Sequence, residues 1–181
     1  MNLFTYILLI IIVVCLLLIW YVSIFNNYQN YIIRMNEAES FIDTTLRKRF
    51  DLLNKSIEII KNVTKTKKDV LTIIKDLKSV KLSNFELDRK LYEAINEFNG
   101  LKEANEDLKN NESFIKVDLG LIESEAEIVA ARKYYNDIVT DYNKLVRTFP
   151  SNIVAKISRY KTKTYFDGKN MEDEDINDFK L

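Results

Sequence analysis

Histidine is missing from the sequence altogether. Its absence removes the side chain that most often acts as general base or metal ligand near neutral pH, and no His-spaced metal site can be built. The single cysteine, Cys15, excludes an internal disulfide and offers no soluble nucleophile, because it lies inside an apolar run. Three glycines and one proline punctuate 181 residues. A strand-rich fold needs a turn signal every ~8–12 residues, and a phosphate-cradling loop needs clustered glycines; neither fits so few. Basic and acidic side chains balance at 27 each, so no general attraction to nucleic acid follows. These gaps exclude the common catalytic classes. No cofactor, metal, nucleic acid or small-molecule substrate is expected, and the fold class is all-α.

Charge is also missing at the start, where the first ionised side chain is Arg34. Residues Ile7 to Ile19 are all aliphatic except Cys15, and the apolar character extends from Phe4 to Phe25. About 20 such residues cross the ~30 Å hydrocarbon core as a helix, and Tyr6, Trp20 and Tyr21 flank the run where rings favour headgroups. A cleaved signal peptide would need a basic start and a small-residue cleavage site, and neither is present. Cys15 follows Val13 and Val14 mid-span, unlike a lipidated cysteine. The segment 4–25 is therefore predicted to be an uncleaved span that binds the lipid bilayer. Arg34, then Arg47, Lys48 and Arg49, lie on one flank only. Only Arg34 falls fully within the ~15–20 residues of the span that the positive-inside rule counts, and its side favours a short N-terminus, 1–3, outside the cell membrane and the bulk of the chain in the cytoplasm.

Beyond the span, apolar residues recur at helical spacing. Ile42, Leu46, Phe50, Leu53, Ile57 and Ile60 share one face of a first helix that can run unbroken from the bilayer to about Asn62. Thr64–Lys68 is the expected first turn. A second helix is predicted over about Lys68–Ala104 on Val70, Ile74, Leu77, Leu87, Leu91, Ala94, Phe98 and Leu101, with Asn99–Gly100 a possible break. Asn110–Asn111 signals the start of a third helix. Its seam of Ile128, Ala131, Tyr135, Ile138, Tyr142, Leu145 and Phe149 alternates steps of three and four. Pro150 stops it, and Ser151 or Asn152 can cap a short fourth helix to about Tyr160. The expected architecture is a transmembrane helix followed by an antiparallel bundle of three long helices plus the short fourth, over 26–167. An acidic tail over 168–181 is predicted to be disordered.

The segment Ile42–Asp43, Leu46–Arg47–Lys48–Arg49–Phe50–Asp51–Leu52 resembles the LemA family of membrane-anchored bacterial proteins. The likeness resumes at Leu108–Lys109, Asn111–Glu112 and Phe114. It is strongest at Glu125, Ile128, Arg132, Tyr135–Asn136, Val139 and Tyr142–Asn143, and closes at Phe149–Pro150–Ser151–Asn152, Ala155 and Tyr165–Phe166. Asn54–Lys55 stands where the family usually has Pro-Asn, and the middle of the chain departs freely. The resemblance implies a short outside N-terminus, one span and a cytoplasmic helical bundle, and it implies no known activity. LemA-like proteins are often encoded near membrane proteases or envelope-stress proteins.

Several polar residues fall on or beside the packed faces. Glu125 and Arg132 are seven apart and share a face, with Asn136 and Asn143 beside it. A charge on a packed face costs several kcal/mol unless paired, and Asp43 or Asp51 of the first helix is the expected partner of Arg132. Asp43, Arg47 and Asp51 stand at i, i+4 spacing as an ion-pair ladder. Asp43, Arg47, Arg49, Asp51, Glu125, Arg132, Asn136 and Asn143 thus form a candidate polar network or partner surface. The function expected is a non-enzymatic single-pass scaffold or adaptor for an unidentified protein partner, linked to envelope or membrane-protein quality control. The alternative is a coiled-coil signalling or ligand-sensing module with a polar groove around Arg132.

Overall fold

The computed structural model describes residues 2–66, 69–77 and 82–166, and every regular element among them is an α-helix. In chain order these are α1 (Leu3–Thr64), α2 (Thr72–Leu77), α3 (Asn84–Ala104), α4 (Glu106–Lys109), α5 (Glu112–Arg147) and α6 (Ser151–Ser158). The acidic tail expected over 168–181 lies outside the described residues.

With no glycine or proline to interrupt it, α1 runs for 62 residues, roughly 90 Å at the rise of an α-helix. Its N-terminal part is the one stretch among the described residues long and apolar enough to cross a membrane. From Leu3 to Ile19 every residue but Thr5 is exposed, and cover by the rest of the protein begins at Trp20 and Tyr21. Bare apolar surface of that length needs lipid around it, so the protein is membrane-anchored.

The chain divides into two compact units, residues up to Glu37 with those from Tyr135 onward, and Ala38 to Tyr134. In the second unit α1 buries Ile42, Leu46, Leu53 and Ile60, α3 buries Leu91, Ala94 and Phe98, and α5 buries Phe114, Val117, Leu121, Ile128 and Ala131. Phe98 stacks on Phe114 with ring centroids 4.6 Å apart. Side-chain pairings fix the helix directions. Lys48 meets Glu127 and Leu52 lies against Gly120, so α1 and α5 are antiparallel. Asp88 meets Arg132 and Phe98 meets Phe114, so α3 and α5 are antiparallel as well. The antiparallel relation expected of the long helices therefore holds for α5 against each of the others, whereas α1 and α3 run the same way. Near the end of α1, Lys61 holds Asp69 at 3.1 Å, and the Leu71 N–H donates to Glu97 Oε1 at 2.7 Å. From there the segment containing α2 returns the chain to the start of α3.

That return corrects the single helix expected over Lys68–Ala104, which is two helices. Leu71 adopts a left-handed φ of 50°. Ser83, in extended conformation, caps α3 with its side chain on the Glu86 N–H while the Glu86 carboxylate answers on the Ser83 N–H. This reciprocal pair satisfies two orphan donors and starts a helix inside an otherwise periodic stretch. Asn99–Gly100 makes no break, because α3 passes through it.

In the first unit Tyr28 is fully buried. It meets Tyr142 edge-on at 5.8 Å, lies 4.7 Å from Tyr160, and donates through Oη to the Ser151 carbonyl at 3.2 Å. The α5 seam continues here in Tyr135, Ile138 and Tyr142. Phe149 does not belong to it: α5 stops at Arg147, and the ring is 79% exposed. Ser151 is the first residue of α6 rather than its cap, and its Oγ donates to the Leu145 and Thr148 carbonyls. The helix ends at Ser158, short of Tyr160, with Arg159 in the left-handed region at φ 58°.

Candidate functional site

A strict four-three rhythm on α1 reads Ile42, Leu46, Arg49, Leu53, Ser56, Ile60, and all six are buried. The sequence thus places a guanidinium at a core position, where Arg49 is 1% exposed. One of its terminal nitrogens, Nη2, pairs with Glu125 of α5. The other, Nη1, stands 3.6 Å from Asp88 Oδ1 of α3. The second oxygen of Asp88 accepts from Arg132 Nη2 of α5. Two cations and two anions from three helices therefore neutralise one another, with Arg49 and Asp88 buried at the centre and Arg132 and Glu125 reaching toward solvent. Asp88 is 8% exposed at its side chain, whereas Glu125 is about half exposed. Among the described residues Arg49 Nε is buried without an acceptor.

Removing two like-charged guanidiniums from water is costly unless each is paired with good geometry. Asp88 is the one carboxylate that both share, so it fixes how far α3 can slide against α1 and α5. On the adjoining surface Lys48 binds Glu127 at 3.1 Å and Glu123 at 3.3 Å. The hydrogen bond to Glu127 is the main cause that raises the Lys48 pKa.

The remaining candidates lie elsewhere. Arg47 Nε pairs with Asp43 at 2.8 Å across one exposed turn of α1, and this hydrogen bond raises the Arg47 pKa. Asp51 is exposed. Neither Asp43 nor Asp51 is the carboxylate on Arg132. That partner is Asp88, because α3 rather than α1 lies along that side of α5. Asp88 is the residue the sequence reading missed. The available signal was its place three residues before Leu91, on the buried side of α3.

Asn136 and Asn143 belong to the first unit, where they hold the chain that follows α6. Asn143 Nδ2 donates to the Lys163 carbonyl at 2.8 Å, and its Oδ1 accepts the Lys163 N–H at 2.7 Å. Asn136 Oδ1 accepts the Phe166 N–H at 2.8 Å. The Tyr135 ring meets Phe166 edge-on at 6.3 Å. Both amides thus bind backbone, and both are internally engaged.

The outer face of α5 is different. Ile115, Leu119, Ile122 and Val129 are exposed at steps that keep them on one stripe. Ile122, Glu125, Ala126, Val129, Ala130 and Lys133 line a shallow, open groove of about 600 Å³. Among the described residues no group of three or more Cys, Asp or Glu is placed to hold a metal ion.

An apolar span followed by helices locked together through a buried ionic cluster defines a class, the membrane-anchored helical-bundle proteins. Within that class the chain belongs to the LemA family, whose family model matches residues 38–177. A search of curated proteins gives no match.

Proposed function

We propose that the protein is a non-enzymatic, single-pass membrane scaffold whose bundle, on the cytoplasmic side, receives an amphipathic helix of another protein on the outer face of α5. The observation that carries this is the exposed stripe from Ile115 to Val129. A monomeric soluble surface rarely leaves such apolar positions in register. Ala126 and Ala130 let a second backbone approach closely, and anchors at i, i+4 and i+7 suit a helix laid along the groove. The buried Arg49–Asp88–Arg132–Glu125 cluster is read as the device that holds this face rigid. The gene-neighbourhood habit of LemA-like proteins suggests a partner in envelope or membrane-protein quality control.

The test is a photo-crosslinking residue placed at Ile122 in intact cells, with a second at the exposed Lys109 as control. A discrete heterologous adduct at position 122 and none at 109 is expected. A crosslink joining two copies of this chain, or equal labelling at both positions, would overturn the assignment.

A further inference from the structure

Where α6 ends, the chain meets the membrane boundary of α1. Ser158 Oγ lies 3.1 Å from the Tyr21 hydroxyl, and Tyr21 is where protein cover on the anchor begins. Tyr28 holds the start of α6 through Ser151, so α6 runs antiparallel to α1 and its C-terminus points toward the span. Tyr160 folds back on α1 one to two turns further from the span: its ring lies 6.1 Å from Phe25, and its hydroxyl accepts from Gln29 Nε2 at 2.6 Å. The bare apolar part of α1, Leu3 to Ile19, is about 25 Å long at 1.5 Å per residue, near the thickness of a hydrocarbon core. The end of α6 therefore falls at headgroup depth.

The exposed groups there suit that depth. Val154 and Ala155 are buried against the protein, while Ile153 is 42% and Ile157 63% exposed, one turn apart on the outer side. Lys156, Arg159 and Lys161 are exposed beside them, and none pairs with a carboxylate among the described residues. Apolar side chains flanked by free cations at the membrane plane are the pattern of an interfacial helix on anionic lipid. Arg159, left-handed at the helix end, turns the chain there, and Lys161 follows half-buried Tyr160.

We infer that α6 and the turn after it form a second, interfacial membrane contact that binds anionic phospholipid headgroups through Lys156, Arg159 and Lys161, with Ile153 and Ile157 in the acyl boundary. This requires the bilayer anchor but not partner binding on α5, so either can fail without the other.

The experiment titrates the full chain in detergent with phosphatidylglycerol or phosphatidylcholine and counts retained lipid by native mass spectrometry. Phosphatidylglycerol is expected to be preferred. Each cation removed should weaken its retention about fivefold, from the ~1 kcal/mol that one Lys or Arg contributes near a charged surface. Lys156→Gln/Arg159→Gln/Lys161→Gln should therefore lose roughly a hundredfold by the same reckoning, while Lys55→Gln/Lys109→Gln/Lys116→Gln loses nothing. If the first triple variant loses helicity, Lys161→Gln alone, which lies outside any helix, replaces it with an expected loss of about fivefold. Equal retention of both lipids, equal losses in both triple variants, or displacement by inorganic phosphate at concentrations like those of the lipid would each overturn the inference.

Discussion

Asp88→Asn removes the one carboxylate that two arginines share, at nearly constant volume. The wild-type cluster is neutral, and the variant carries one net positive charge. Arg49, 1% exposed, would keep only Glu125, whose half-exposed carboxylate is partly screened by water. Arg132 would face a neutral amide. Breaking a buried ion pair by removing one member costs about 3–5 kcal/mol, a large share of the ~5–15 kcal/mol that holds a typical domain together. For a chain of this size that corresponds to a fall in Tm of about 6–20 °C, read by far-UV circular dichroism on the full chain in detergent. The exposed Asp51→Asn should stay within about 0.5 kcal/mol of wild type. In the cycle with Arg132→Met the double loss should fall short of the sum by about 0.5–3 kcal/mol, because each partner's removal already harms the other. If Asp88→Asn melts like Asp51→Asn, or if the two losses simply add, the cluster is not what locks the helices.

Three further outcomes are expected. Asn143→Ala removes both amide bonds to Lys163, so trypsin should cut at Lys161 and Lys163 faster than in wild type while the helical signal of the chain is kept; unchanged cleavage would refute the clamp. Gly100 is mid-helix, and a methyl group there would meet nothing within 4 Å. Gly100→Ala should therefore stabilise by about 1 kcal/mol, visible as a raised melting temperature. The Tyr28 and Tyr142 phenols are held above their ordinary pKa, chiefly because burial disfavours the phenolate. The folded state thus keeps protons that the unfolded chain gives up near pH 10. Their contribution is full below that pH and is lost as pH rises above it. Tyrosinate absorbance should lag for these rings and appear together with unfolding; simple titration of every tyrosine near pH 10 would contradict their burial.

Much of the fold was legible because hydrophobicity alone writes it. The uncharged run before Arg34 and the α5 rhythm through Ile128, Ala131, Tyr135, Ile138 and Tyr142 need no tertiary knowledge. Polar residues at seam positions were harder. An eye trained on apolar spacing steps from Leu46 to Phe50 and passes over Arg49, which continues the four-three rhythm and is buried. Asp88 was hidden in the same way beside Leu87. A cation at Arg132 calls for a carboxylate, and Asp88 lies against it, but choosing among acids requires knowing which helix lies alongside, and that depends on the return through α2. The break before α3 was written in Ser83 and Glu86, yet a capping box amid apolar residues competes with the periodicity around it. Phe149 fitted the seam in sequence but lies beyond the end of α5, so periodicity there outran the helix.

The two asparagines on α5 also have a metric consequence. Asn136 and Asn143 are seven residues apart on a helix, about 10.5 Å along its axis. Lys163 and Phe166, the residues they hold, are three apart in a stretch without regular structure, which can reach about 10 Å. Two different periodicities come into step at this one spacing, and the contact is made through amide groups that every residue except proline carries. Composition in the held segment is thus nearly free, so Lys163 and Thr164 can vary with little effect on docking. Length is not free: deleting a single residue between 163 and 166 would throw the two gratings out of phase, and only one asparagine at a time could find its partner.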